Sequence, residues 1–330
     1  MTLEFRTAIR QALEEELERD ETVMYFGEDV AAPGGVFKVT PDLTHFGADR
    51  VFDTPISELA ITSAAFGAAV AGMRPVIEIM FGDFLMLAMD SIVNQAAKYW
   101  YVSGGQHPAP LVVRSAVGAG GRFGPIHSQD PVSWFMSVPG LKIVCPSTPT
   151  DAKGLLKTAI RDDNPVLFLE HKRLYSLKSD EEAPELVPIG SARIAREGTD
   201  VSIITAMKGV HDALAAAEML ATEGVSAEVV DLRTLRPLDI DTILGSVRKT
   251  NRVLIVEEGP YLGGWGSTVA GAISQLALDE LDDLMVLSTR SIPVPFSPPL
   301  EDRFLIDAEA IAETIRARAG IPRSEAASYA

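Results

Sequence analysis

Cysteine is all but missing from this chain. Cys145 stands alone among 330 residues, which excludes an internal disulfide and any multi-cysteine metal site. Nothing points to secretion, and a reducing cytosol is the expected compartment. Positive charge is scarce as well: 29 Lys and Arg face 46 Asp and Glu, for a formal charge of −17. Phosphate surfaces attract the opposite balance, so neither nucleic acid nor an anionic membrane is an expected partner. A basic protein partner suits the surplus better, although solubility alone also accounts for it. Long apolar runs are lacking too. The stretch from Leu59 to Met73 is rich in alanine and glycine, falls short of the ~20 residues that cross a bilayer, and reads as a buried helix. The first residues, MTLEFR, lack the charged-then-apolar plan of an export signal, so no targeting segment is expected.

What is present is enough apolar material for two cores, at 47% of residues. Short apolar runs recur at Val76–Ile79, Leu111–Val113, Val166–Leu169, Val201–Ile204 and Val253–Val256, each the length of a buried parallel strand. Helical patterns lie between them; Val210, Leu214, Ala217 and Ala221, for example, are spaced to share one face. The alternation predicts an α/β chain of two domains, each a mainly parallel sheet flanked by helices. Ser176–Gly190, with its acidic run and two prolines, has the composition of a connection. The expected division is therefore a domain over 1–175, a linker over 176–190 and a second domain over 191–330. The second repeats strand and helix through Val201, Val229, Val253 and Met285, closes on a helix over 308–319 and ends in residues that look frayed.

Familiar nucleotide motifs fail. Gly118–Gly124 (GAGGRFG) puts Phe123 where the dinucleotide fingerprint wants a small residue and has no Lys-Ser/Thr of a P-loop; Gly264–Val269 fails at Val269. The five histidines are scattered, without metal-ligand spacing. There is no Gly-x-Ser-x-Gly elbow to start a hydrolase triad.

Glu58 is the carboxylate that needs a reason. In Asp53–Thr62 (DTPISELAIT) it follows Ser57 at the opening of a helix, where an acid complements the helix dipole and Ser57 serves as a cap. The other reading is functional: an acid kept among Ile56, Leu59 and Ile61 can share a proton with a basic ring nitrogen.

Several strings then carry a resemblance. DTPISE at 53–58, AGMRPVIEIMFGDF at 71–84, IVNQAAKYWYVSGG at 92–105, HSQ at 127–129, PGLKIVCPSTPTDAKGLLKTAIRDDNPVLFLE at 139–170 and DLRTLRPLD at 231–239 resemble the beta subunit of thiamine-diphosphate-dependent 2-oxo acid dehydrogenases. They run in order over essentially the whole chain. The resemblance implies a pyrimidine-binding domain and a transketolase-like C-terminal domain. It implies thiamine diphosphate shared with an alpha subunit, which holds the diphosphate and its magnesium; the one Gly-Asp pair here, Gly82-Asp83, continues into Phe84 and departs from the family's magnesium motif. Glu58 would then hydrogen-bond the aminopyrimidine and favour the imino tautomer that deprotonates the thiazolium carbon. Phe84 would pack against the ring, with Ile56 and Glu28 close to it. His127 would donate a proton as the acyl group moves to a lipoyl sulfur. Backbone oxygens at Leu111, Ala159, Ile160, Asp162 and Asn164 would hold a monovalent cation, typically potassium.

By the same resemblance the chain would decarboxylate a 2-oxo acid within an alpha2-beta2 heterotetramer and acylate a lipoyl-bearing dihydrolipoyl acyltransferase, whose small basic domain would suit the acidic surplus. Acetoin dehydrogenase is the alternative: VPFSPPLE at 294–301 and LEHK at 169–172 look like that branch, whereas Glu28-Asp29-Val30 and Gly34–Phe37 resemble branched-chain enzymes. A noncatalytic scaffold on the same fold is a third reading.

Overall fold

The structure is a computed structural model that describes residues 2–319. The ending expected to fray, 320–330, lies outside them. Among the described residues, eight strands precede residue 190 and six follow it; the eight are β1 (Leu3–Glu4), β2 (Val23–Gly27), β3 (Val51–Asp53), β4 (Arg74–Phe81), β5 (Val112–Val117), β6 (Lys142–Val144), β7 (Val166–His171) and β8 (Lys178–Ser179). The six are β9 (Arg193–Arg196), β10 (Val201–Thr205), β11 (Ala227–Asp231), β12 (Thr234–Arg236), β13 (Arg252–Pro260) and β14 (Asp283–Thr289). Each expected apolar run lies on or at the start of one of these strands. The chain is α/β, with two mainly parallel sheets flanked by helices.

The chain divides into two units. The first comprises residues 1–191 together with 233–238 and 293–301. Its seven-stranded sheet has the order β12-β6-β7-β5-β4-β2-β3, parallel except where β12 runs antiparallel to β6. DLRTLRPLD thus serves the architecture, since Thr234–Arg236 is an edge strand of this sheet and Arg233 is anchored to Asp151 at 2.8 Å. The second unit comprises 192–232, 239–292 and 302 onward. Its sheet, β14-β13-β10-β11-β9, is parallel apart from β9. Ile203, Val229 and Leu254 pack there with Val210, Ala217 and Ile311. In the helix Lys208–Ala221 the buried face runs through Val210, Ala213, Ala217 and Leu220, while Ala221 is exposed. The face is rotated from the expected one because alanines at 213 and 216 fit closely against the sheet.

One further expectation is corrected. The stretch expected to be a buried helix forms Glu58–Val70, but Leu59, Ala60, Ser63, Ala64, Gly67 and Val70 are exposed. A helix apolar all round that keeps one bare face is suited to covering by another chain. No helix of the described residues is long and apolar enough to cross a membrane. The glycines of the rejected 264–269 motif serve packing instead. A Cβ at Gly264 would lie 2.2 Å from Glu257 Oε1, and Gly266 N donates to Glu257 Oε2 at 2.7 Å.

The strands of the first unit bury an ionic network. Arg114 on β5 donates to both oxygens of Glu170, at 2.7 and 2.8 Å, and to Glu78 Oε2 at 2.9 Å. Tyr25 donates to Glu78 at 2.6 Å and Tyr175 to Glu170 at 3.0 Å. Burial works against the Arg114 charge, but Glu170, Tyr25 and Glu78 outweigh it and hold the guanidinium well above its ordinary range. A planar fork between two carboxylates is a geometry that arginine alone supplies.

Candidate active site

Strand order creates the crevice. β2 lies between β3 and β4, so the chain leaves β2 to one side and returns across it to reach β4 and then β5 on the other. Open α/β sheets bind ligands outside the carboxyl ends of strands at such a reversal. Glu28 directly follows β2, Thr54 follows β3, Phe81 ends β4 and Phe84 lies just beyond it. Thr54 N donates to Gly27 O at 2.9 Å and Ala31 N to Asp53 Oδ1 at 2.7 Å, which ties the loop after β2 to the end of β3. Ser57 is extended and its side chain accepts from Ala60 N at 3.4 Å, so Glu58 starts the helix as expected.

Glu58 and Glu28 are 7% and 9% exposed. Burial, the neighbouring Glu58 and then Asp29 push the Glu28 carboxyl up from its ordinary value. Glu28 Oε1 and Thr54 Oγ1 are buried without a hydrogen-bond partner. A buried, unpaired oxygen costs ~1–3 kcal/mol. Donor groups on an aminopyrimidine answer that need, so these residues fit thiamine diphosphate at its ring end. The surroundings of Glu58 differ from those expected: Ile56 is 82% and Leu59 48% exposed. Of the three apolar neighbours in sequence, Ile61 alone is buried, at 4% exposed.

The second part of the rim is aromatic. Phe84 and His127 meet edge to face with ring centroids 5.3 Å apart, and Phe81 lies 4.7 Å from the imidazole. Lys172 Nζ donates to the His127 carbonyl at 2.7 Å and stands 5.5 Å over the Phe81 ring. The structure thus brings Glu28 to Glu58 and Phe84 to His127, while Ile56 faces outward. Pro125 and Ile126, the two residues before His127, are exposed.

The five positions proposed for a monovalent cation lie at the opposite rim, where β5 and β7 begin. Ile160 O and Asp162 O converge on one nitrogen, Arg74 Nη1, at 3.1 and 3.0 Å. Leu111 O accepts from Val166 N, and Ala159 O from Asp162 N. Asn164 N donates to Asp162 Oδ1, while Lys142 pairs with Asp162 Oδ2. Convergent carbonyls suit a hard cation, but a guanidinium already meets two of them. Among the described residues no group of three or more His, Cys, Asp and Glu is placed to hold a metal ion.

Sequence reasoning missed Thr54, Lys172, Asp83 and Glu301. Asp83 Oδ1 accepts from both Gln129 N and Gln129 Nε2, at 3.2 and 2.8 Å, which joins HSQ to the end of β4. DTPISE, the Gly82-Asp83 pair, HSQ, LEHK and VPFSPPLE hold what signal there is. Those strings point to other residues or to a family branch, while the partners of Asp83, Lys172 and Glu301 lie 46, 45 and 181 residues away.

Residues 1–178 match the family "Transketolase, pyrimidine binding domain" and residues 190–311 match "Transketolase, C-terminal domain". The chain is 46% identical over 328 residues to the acetoin:2,6-dichlorophenolindophenol oxidoreductase subunit beta of Cupriavidus necator, covering 95% of this chain and 96% of the relative. It is 45% identical to the pyruvate dehydrogenase E1 component subunit beta of Rickettsia felis, covering 96% and 98%. It is 46% identical to the 2-oxoisovalerate dehydrogenase subunit beta of Bacillus subtilis, covering 94% and 96%. A solved split gene transketolase, an inactive beta4 tetramer, shares the fold with a TM-score of 0.79 at 22% identity, over 97% and 99% of the two chains. The chain belongs to the transketolase-like family, among the beta subunits of the pyruvate, 2-oxoisovalerate and acetoin dehydrogenase group.

Proposed function

We propose that this chain is the beta subunit of a 2-oxo acid dehydrogenase. It would work with an alpha subunit in an alpha2-beta2 heterotetramer and pass the acyl group to a lipoyl-bearing acyltransferase in the cytoplasm. The observation that carries the reading is the buried Glu28–Glu58 pair, with an unpartnered oxygen, at the strand-order reversal. When bound, thiamine diphosphate supplies an acidic ring carbon and an electron sink for decarboxylation. Glu58 shares a proton with a ring nitrogen, and beside it stands Glu28, whose carboxyl burial and the neighbouring Glu58 push up. Phe84 gives the ring a face to rest on. His127, at the same rim, donates a proton to the departing lipoyl sulfur.

The alpha partner would hold the diphosphate and its magnesium, since the rim residues of this chain account for the ring end alone. Exposed Leu59, Met86, Leu87, Trp100, Tyr101 and Val102 offer that partner an apolar surface. Residues 176–190 are proposed as the connection between domains over 1–175 and 191–330. A monovalent cation, typically potassium, would share the carbonyls of Ile160 and Asp162 with Arg74.

The reconstituted alpha–beta pair tests the reading. Glu58→Gln should lower decarboxylation by about 10²–10⁴-fold while leaving assembly intact; normal turnover would remove the catalytic assignment. Full activity of the beta chain alone would remove the shared site. Acetoin dehydrogenation is the second reading, favoured by the Cupriavidus relative. A panel of pyruvate, branched 2-oxo acids and acetoin with a dye acceptor separates the two.

A further inference from the structure

The loop after β5, residues 118–127, adopts an unusual backbone. Gly118, Gly120 and Gly124 have φ of 87°, 91° and 72°, and Arg122, which is not glycine, has φ of 63°. A side chain in that region costs roughly 1 kcal/mol or more, so something must hold it there. Two sets of contacts do. At the β7 end, a Cβ at Gly118 would lie 2.2 Å from His171 Nε2 and one at Gly120 2.4 Å from Arg173 Cδ. From the far end of the sequence, the segment 293–301 of the same unit closes over the loop.

Glu301 is the centre of that closure. It is 0% exposed, accepts from Gly120 N at 2.8 Å and Arg122 N at 3.1 Å, and pairs with Arg122 Nη1 at 2.8 Å. Phe296 lies 2.3 Å from where a Cβ of Gly124 would stand, so glycine is required for the loop to pass beneath the ring. One carboxylate therefore gathers two backbone donors and the guanidinium of the strained residue. The loop fixed in this way delivers His127 to Phe81 and Phe84.

We propose that Glu301 is a positioning residue: by holding Gly120 and Arg122 in their left-handed conformations, it sets His127 against the Phe81–Phe84 wall and so governs acyl transfer. Glu301 does not touch the reacting groups; it acts through the loop. The inference rests on the reading of His127 as the proton donor in that transfer.

The test uses the reconstituted alpha–beta complex with free lipoamide and, separately, a dye as acceptor. The readout is the ratio of the lipoamide rate to the dye rate, which a general loss of folded enzyme does not change. Glu301→Gln should lower that ratio at least about tenfold, because a misplacement of about 1 Å is enough to cost such factors. Arg122→Met removes the guanidinium contacts to Glu301 and to Pro298 O but keeps both backbone donors to Glu301, and should lower the ratio in the same direction by less; it serves as the readout if Glu301→Gln does not fold. In a His127→Gln background, Glu301→Gln should add no further loss, since both changes act on one step. An unchanged ratio in the folded variants, or losses that multiply with His127→Gln, would overturn the positioning role. If His127→Gln alone leaves the ratio intact, the reading of His127 fails first, and the two failures are told apart.

Discussion

Glu78 and Glu170, inside the strands, and Glu28 and Glu58, at their carboxyl rim, are all buried in the first unit but differ in what meets their oxygens. The inner pair is met by Arg114 and two tyrosine hydroxyls. The rim pair has no ion-pair partner among the described residues, and Glu28 Oε1 accepts nothing. A saturated buried charge is a feature of the fold; an unsaturated one marks a place for a missing ligand. Glu257 in the second unit belongs with the first kind: burial pushes its carboxyl up, yet Gly266 N and Ser288 Oγ occupy both oxygens.

The contrast can be broken from either side. The largest effect is expected at Arg114. Arg114→Met leaves Glu170 and Glu78 buried without their cation and should cost about 3–5 kcal/mol in urea denaturation, with part recovered in the double variant carrying Glu170→Gln. A loss below about 1 kcal/mol would mean that the network is not what neutralises these acids.

Glu28→Gln should act more gently and with a defined pH dependence. The Glu28 carboxyl is raised from its ordinary 4.5, so the folded state binds that proton more tightly than the unfolded state. Its contribution to stability is present below pH 4.5 and is lost as pH rises through the folded value. Glu28→Gln removes that loss, so the stability difference should move in favour of the variant from about pH 4.5 upward. Parallel stability curves would show that the rim pair carries no such strain. The smallest effect is expected at the opposite rim. Replacing potassium chloride by choline chloride should lower Tm by about 1–3 °C, and identical melting would leave the Ile160 and Asp162 carbonyls to Arg74.

The fold is largely legible in the sequence because apolar runs such as Val76–Ile79 and Val253–Val256 are local signals that burial enforces on both faces of a strand. The half-exposed helix Glu58–Val70 departs from expectation for a related reason: an apolar composition does not say whether its cover comes from the same chain. At the candidate site, Glu58, Phe84 and His127 are legible through strings of adjacent residues. Glu301 and Lys172 escape because their partners, Gly120 and His127, are 181 and 45 residues away. Hydrogen bonds of that kind leave no periodicity. Nor does the sequence reveal that Thr234–Arg236 joins the first sheet, since a three-residue edge strand looks like any loop.

The most direct measurement is deuterium exchange at the acidic ring carbon of thiamine diphosphate in the assembled alpha–beta complex, followed by NMR for the wild type and Glu58→Gln. The account expects exchange to slow by about 100-fold or more in the variant, with the cofactor still bound. Equal exchange rates in the two complexes would contradict it.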